Sequence, residues 1–212
     1  ILLLVVAILL VILAGEVGLS AAHQARALTQ QHSNVTYITG PINITQPGYY
    51  VLSTNLAGTQ SAGYCIGIFA SNVELNGNGH TLSGSDSGTG IYVSSDSSNV
   101  TIENISITSY STEISISSSK DRIVNCTISY SYWGDGIDIT GNYITIYNST
   151  IAYNNWDGLR ITGNYTTISN SDISGNYGDG IAITGSNNII SNSTIANWNG
   201  IAITGSNNII SN

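Results

Sequence analysis

GIDITGNYITIYNSTIAYNNWD runs from Gly136 to Asp157, and GLRITGNYTTISNSDISGNYGD from Gly158 to Asp179. GIAITGSNNIISNSTIANWN follows from Gly180 to Asn199, and GIAITGSNNIISN from Gly200 to Asn212. The units start 22, 22 and 20 residues apart. A fixed period of this length is the mark of a solenoid in which each unit stacks on the last. Inside each unit apolar residues alternate, as in Ile137/Ile139 and Ile144/Ile146, which is the period of a strand and not of a helix. Short strands joined by Gly, Asn and Ser at this spacing read as the coils of a right-handed, three-sheet parallel β-helix, an all-β fold.

The phase extends upstream. Gly67, Gly90 and Glu113 precede Gly136 at steps of 23 residues, and apolar residues follow each by one and three places, from Ile68/Ala70 and Ile91/Val93 to Ile201/Ile203. Alternation along a strand points these inward. Leu75, Ile102, Ile123, Ile146, Ile168, Ile190 and Ile210 form a second column, and Ile107, Ile128, Ile151, Ile173 and Ile195 a third. Three apolar columns predict three sheets around one core, with coils about 4.8 Å apart. Asn104, Asn125, Asn148, Asn170, Asn192 and Asn212 make one polar ladder at a turn, read here as internal and structural. On this reading the coils occupy 61–212, and 28–60, with Pro41, Pro47 and the run GYYVLS, cap the first coil. The break partway through a coil at Asn212 and the lack of any Met imply a piece of a longer solenoid.

Composition narrows the function classes. Hydrophobic residues make up 42% and charged residues 8% of 212, with a net charge of −8 and four basic residues. So few Lys and Arg exclude sequence-independent nucleic-acid binding. Residues 1–14, ILLLVVAILLVILA, are an apolar run of signal-peptide length, and Ala25-Arg26-Ala27 offers a cleavage site. Residues 1–27 are therefore read as a signal peptide or an uncleaved membrane anchor, with a pilin-like helix as an alternative; export to the cell surface follows, with membrane contact only through that segment. In an exported protein the sequons at Asn34, Asn43, Asn99 and Asn164 are glycosylation candidates, whereas those at Asn104, Asn125, Asn148 and Asn192 fall on the ladder read as internal. Cys65 and Cys126 lie two coils apart at different phases, beyond the Cα separation of about 7 Å that a disulfide spans, so two free buried thiols are expected. His23, His32 and His80 share no phase with them, which argues against a mixed metal site.

One turn concentrates chemistry. Trp133, Trp156 and Trp198 all stand just before the first strand of a coil, with Tyr177 in the matching place, and Asp135, Asp157, Asp179 and Asn199 follow them. Aromatic faces bind the C–H surfaces of sugars, and carboxylates bind hydroxyls or Ca²⁺. On the adjoining strand the outward residues are Phe69, Tyr92, Ser115, Asp138, Arg160, Ala182 and Ala202, so Asp138 and Arg160 are expected to pair. Aromatics at a wide turn also simply shield a coil edge, and Asp before Gly is ordinary turn chemistry. Structural, glycan-binding and catalytic readings of this turn all stand at this point. Nothing in the sequence requires a cofactor; a Ca²⁺ ion bridging Asp135, Asp157 and Asp179 is the metal such a column would take, since stacked like charges repel. Thr140, Thr162, Thr184 and Thr204 form a further outward ladder; ice-binding solenoids use such threonine arrays as paired columns, whereas the neighbouring column here is Asp138, Arg160, Ala182 and Ala202.

INITQPGYYVLSTNL, CIGIFASNVELNGNGHTLSG and the Gly-Ile-x-Ile coils resemble the NosD-like right-handed parallel β-helix proteins, which share a carbohydrate-binding and sugar-hydrolase (CASH) domain. The resemblance covers about residues 42–212. It implies the β-helix fold and a glycan partner; the family's association with copper finds no Met and only scattered Cys and His to act on. DGIDI at Asp135–Ile139 and GDGIAI at Gly178–Ile183 resemble the two aspartate motifs of polygalacturonases. That resemblance implies Asp135, Asp138 and Asp179 as candidate catalytic acids, to which the aromatic turn adds Asp157, although no His follows His80 and no Arg-Ile-Lys segment is present. A Tyr/His/Asp epimerase cluster lacks the same histidine. The expectation is an exported β-helix module, structural or glycan-interacting, with a polysaccharide-acting enzyme of incomplete catalytic coils as the alternative.

Overall fold

The computed structural model describes residues 34–211. The 1–27 segment, the start of the 28–60 segment and Asn212 lie outside the described residues. From Thr36 the described chain is one compact unit, with twenty-four short strands and no helix among the described residues. No helix there is long and apolar enough to cross a membrane.

The strands fall into three parallel sheets. Sheet 1 has nine strands, from Val35–Ile38 to Ile209–Ser211; sheet 2 has eight, from Ile42–Ile44 to Asn199–Ile203; sheet 3 has seven, from Leu56–Ala57 to Thr194–Ala196. Each coil visits sheets 2, 1 and 3 in turn, as in Ile137–Ile139, Thr145–Tyr147 and Thr150–Ala152. The interior is made of like residues in register: Ile114, Ile137, Leu159 and Ile181 in sheet 2, Ile123, Ile146, Ile168 and Ile190 in sheet 1, and Ile107, Ile128, Ile151 and Ile173 in sheet 3. All are buried. Burying such a side chain contributes about 1.5–3 kcal/mol, which makes these columns the main source of stability.

The register corrects the alignment of the earliest coils. Ile66 and Ile68 lie beside Ile91 and Val93, and Gly67 beside Tyr92. The residue in line with Gly90 is thus Cys65, not Gly67. Gly67, not Phe69, is on the outward line of Tyr92; the Phe69 ring packs instead against Tyr64 and Tyr92. The coils also begin before residue 61. Ile42–Ile44, Gly48–Leu52 and Leu56–Ala57 already place one strand in each sheet, and Tyr50 pairs with Leu75. Cys65 and Cys126 are free and buried, as expected; burial pushes the Cys126 thiol up to about 12 and the Cys65 thiol up as well.

The Asn104 ladder exists, but on the surface. Asn125 donates to Asn104 and Asn148 to Asn125, at 3.3 and 2.7 Å, and the five described members have φ between 46 and 54°. Their side chains are exposed or half-exposed. A left-handed residue turns its side chain out of the strand's in-out alternation, which is why the inward reading fails. Asparagine does run through the interior, elsewhere. Asn154 Nδ2 donates to Asn176 Oδ1 and Asn176 Nδ2 to Asn197 Oδ1, both at 2.9 Å, while Asn154 Oδ1 accepts the Ser131 N–H. This buried ladder fastens the turn from sheet 3 to sheet 2 from within. It also explains the repeated glycine: a Cβ on Gly136, Gly158 or Gly180 would come within 2.3–2.6 Å of the amide nitrogen of Asn154, Asn176 or Asn197.

One coil solves the same problem differently. Ser131 stands where Asn154 stands one coil later, and the space taken there by an amide is free for the side chain of Glu113. The Glu113 carboxyl is fully buried and accepts the Tyr110 N–H at 3.2 Å. Burial pushes it up to about 8, against the pull of the Tyr110 and Ser109 N–H groups.

Candidate functional site

The buried Asn ladder decides what faces out. With Ser131, Asn154, Asn176 and Asn197 turned inward, the residues just after them project into solvent. Trp133, Trp156, Tyr177 and Trp198 are 69, 58, 80 and 91% exposed. Tyr130, Tyr132 and Tyr153 join them on the same corner. Large apolar rings this exposed contribute little to folding, so this corner stands apart from the buried Ile columns.

The four predicted aromatics do not form one line. Tyr132 N bonds Tyr110 O, Asn155 N bonds Ser131 O, and Tyr177 N bonds Asn154 O, which aligns Tyr132, Asn155 and Tyr177. Trp133 and Trp156 occupy the next place along. Trp133 and Trp156 stand two residues after Ser131 and Asn154, whereas Tyr177 and Trp198 stand one residue after Asn176 and Asn197, and that offset staggers the rings. The result is a pair of grooves. Trp133, Gly134, Asp135, Trp156, Asp157 and Arg160 line one of about 250 Å³. Gly175, Asn176, Tyr177, Ala196, Asn197 and Trp198 line another of about 580 Å³. Tyr132 meets Trp133 edge-on at 4.9 Å, and Tyr130 stacks on Tyr153 at 5.6 Å.

The acids are held, not loose. Asp135 Oδ1 accepts the Asp157 N–H at 3.1 Å, and Asp157 Oδ1 accepts the Asp179 N–H at 2.7 Å. Each carboxylate therefore stitches one coil to the next. Asp135 Oδ2 lies 2.9 Å from Arg160 Nε, and Asp138 Oδ2 lies 3.2 Å from Arg160 Nη2. The expected Asp138–Arg160 pair is present, and Asp135 joins it. Burial raises Asp135 to about 6 despite Arg160, with the neighbouring Asp157 adding to the rise; Asp157 is raised too, again chiefly by burial. Among the described residues no cluster of three or more His, Cys, Asp or Glu is placed to hold a metal ion. Asp135, Asp157 and Asp179 follow one another along the coil stack and are not gathered around one point.

A second aromatic feature escaped sequence reading. Asn72, Asn99, Lys120, Tyr143, Tyr165, Asn187 and Asn207 recur at the sheet 2–sheet 1 corner, all with φ between 57 and 66°. Asparagine accepts this geometry; a bulky residue there costs about 1–2 kcal/mol. Tyr143 and Tyr165 hold it nonetheless, exposed and stacked at 4.8 Å with a 4° tilt. The signal that could have found them is the substitution of Tyr for Asn at a fixed repeat position. The Thr140, Thr162, Thr184 and Thr204 ladder is exposed as expected. Of the glycosylation candidates, Asn34, Asn43 and Asn99 are exposed and Asn164 is half-buried; Asn99 Nδ2 donates to Asn72, Asn164 Nδ2 donates to Asn142, and Asn164 Oδ1 accepts the Ser186 N–H.

Comparison with known proteins bears on the fold. Residues 135–212 match the family described as a right handed beta helix region. The handedness and architecture are those of a right-handed parallel β-helix. Among solved structures, the Dettilon tailspike protein superposes with a TM-score of 0.59 at 14% identity, over 80% of this chain and 39% of the tailspike chain. The chain thus spans well under half of that protein. An alginate lyase from Paenibacillus superposes with a TM-score of 0.50 at 12% identity, over 84% of this chain and 88% of the lyase. At these identities the likeness speaks for the fold. No curated protein matches the sequence.

Proposed function

We propose that this chain is an exported, cell-surface β-helix module that binds a glycan along the corner between sheets 3 and 2, without turning it over. The observation that carries this reading is the set of exposed rings, Trp133, Trp156, Tyr177 and Trp198, lining two grooves on one corner. Indole and phenol faces pack against sugar C–H surfaces while the groove's polar rim bonds hydroxyls. The alginate lyase neighbour bears the name of a polysaccharide, in keeping with such a partner on a shared fold, but the corner itself supplies the argument. Export is inferred from the apolar run of residues 1–14 and the Ala25-Arg26-Ala27 site. Kinship with NosD-like CASH proteins, and glycosylation at Asn34, Asn43 and Asn99, belong to the same reading.

Two of the four candidate acids, Asp135 and Asp138, argue for binding over catalysis. Both oxygens of Asp135 are engaged, by a backbone N–H and by Arg160, and Asp138 shares that guanidinium. A general acid needs an oxygen free to meet the leaving group. A glycan array with the full chain, beside a Trp156→Ala/Asp157→Ala variant, tests the reading. Binding that the variant loses supports it. Release of new reducing ends or unsaturated sugars by the wild type would replace it with the enzyme reading, and no binding by either protein would reduce the corner to turn structure.

A further inference from the structure

Resting on the glycan reading above, we infer that the site selects an uncharged glycan and disfavours a polyuronate, and that Asp138 enforces the choice by pinning Arg160. Asp135, Asp157 and Arg160 line the groove between the tryptophans, and no Lys or Arg lines the groove beside Tyr177 and Trp198. Arg160 lies on the sheet 2 strand beside this corner, whereas Lys120 and Arg122 lie at the sheet 2–sheet 1 turn and on the sheet 1 strand Arg122–Val124. An arginine in an open groove would ordinarily be a carboxylate receptor, since its planar fork meets two oxygens at once.

Here one edge of the fork is already occupied. Nε faces Asp135 at 2.9 Å and Nη2 faces Asp138 at 3.2 Å. Asp157 and Asp179 add further negative charge along the same corner, and the whole chain carries −8. A uronate on the rings would therefore meet carboxylates with no counter-charge to offset them. An uncharged pyranose meets only acceptors suited to its hydroxyls. The backbone N–H groups of Asp157 and Asp179 keep Asp135 and Asp157 in place whatever the ligand, so Asp138 is the member of the set that is tied only to Arg160.

The test is a set of matched oligosaccharide pairs with the same ring and linkage, such as mannohexaose against hexamannuronate, titrated into the full chain by tryptophan fluorescence at low and high salt. The uncharged member of at least one pair should bind about tenfold tighter or better at low salt, with the gap narrowing as salt screens the repulsion. Asp138→Asn should free one arm of Arg160 and narrow the same gap by strengthening uronate binding, with the melting temperature reporting an intact fold. Tighter binding of the uronate by the wild type, or an unchanged ratio in a folded Asp138→Asn, would overturn the inference while leaving a glycan site standing. No binding by any member of any pair would remove the glycan reading and this inference together.

Discussion

The coils that begin at Gly136 and Gly158 have the same interior as the coil that begins at Gly180, yet a different exterior. Inside, Ile137/Ile139, Leu159/Ile161 and Ile181/Ile183 lie in register and buried. Outside, Asp138 and Arg160 give way to Ala182, Tyr143 and Tyr165 give way to Asn187, and the paired Trp133 and Trp156 give way to Gly178 beside Tyr177. A solenoid needs only its inward residues to stack. Where the outward residues depart from the simplest choice, and do so at a backbone cost in Tyr143 and Tyr165, the departure asks for a cause other than folding.

The interior half of the comparison is the easiest to break. Ile161→Asp buries an unpaired charge between two coils and should cost several kcal/mol, unfolding a stretch of the stack in a thermal or urea melt. An unchanged melt would mean that Ile161 does not point inward. Next in size comes the choice between the two asparagine ladders. Asn176→Ala leaves the Asn154 N–H and amide without their acceptor and takes one donor from the Ile151 carbonyl, a loss of about 2–3 kcal/mol. Asn170→Ala, on the exposed ladder, should cost only about 1 kcal/mol, the strain of a left-handed alanine. Equal losses in chemical denaturation would erase the distinction between inside and outside.

Those residues also show how far the sequence could be read. The Ile columns were legible because alternation and a 22-residue period coincide. The first coils slipped in register because Ile66 and Ile68 are both apolar: a shift of two residues preserves a period of two, so alternation cannot detect it. The Asn104 ladder was visible as a ladder, but its side was not, because a left-handed turn suspends the alternation rule. Asn154, Asn176 and Asn197 were hidden among many turn asparagines for the same reason. The aromatic corner and the Asp138–Arg160 pair were found from spacing alone, whereas the stagger of the rings depends on which place in the turn carries the ring, and the grip of Asp135 on Arg160 on side-chain reach between coils, neither of which a period shows.

Glu113 sharpens the comparison through pH. Its folded-state value, about 8, lies above the ordinary carboxylate value of 4.5. The folded protein therefore holds a proton that the unfolded chain releases, and stability from this group falls as pH rises from about 4.5 to 8. Glu113→Gln keeps an acceptor for the Tyr110 N–H and has no charge to bury, so its melting temperature should decline less between pH 5 and 9 than that of the wild type. Parallel pH profiles would show that Glu113 is not protonated in the fold. The smallest effect is expected from Tyr143→Asn with Tyr165→Asn, the residue of the following coil. Relief of left-handed strain and loss of the ring stack are each about 1 kcal/mol and oppose one another, so the melt should move by only a few degrees. A large loss would make these tyrosines structural.

The central claim is that the aromatic corner of the Gly136 and Gly158 coils is a binding surface. Its most direct test is the affinity of a Trp133→Ala/Trp156→Ala variant for the tightest glycan the wild type retains, measured by calorimetry beside a thermal melt. Affinity should fall by about tenfold or more, as for removal of central aromatic anchors, while the melting temperature stays within a few degrees of wild type. Undiminished affinity in the folded variant would contradict the account.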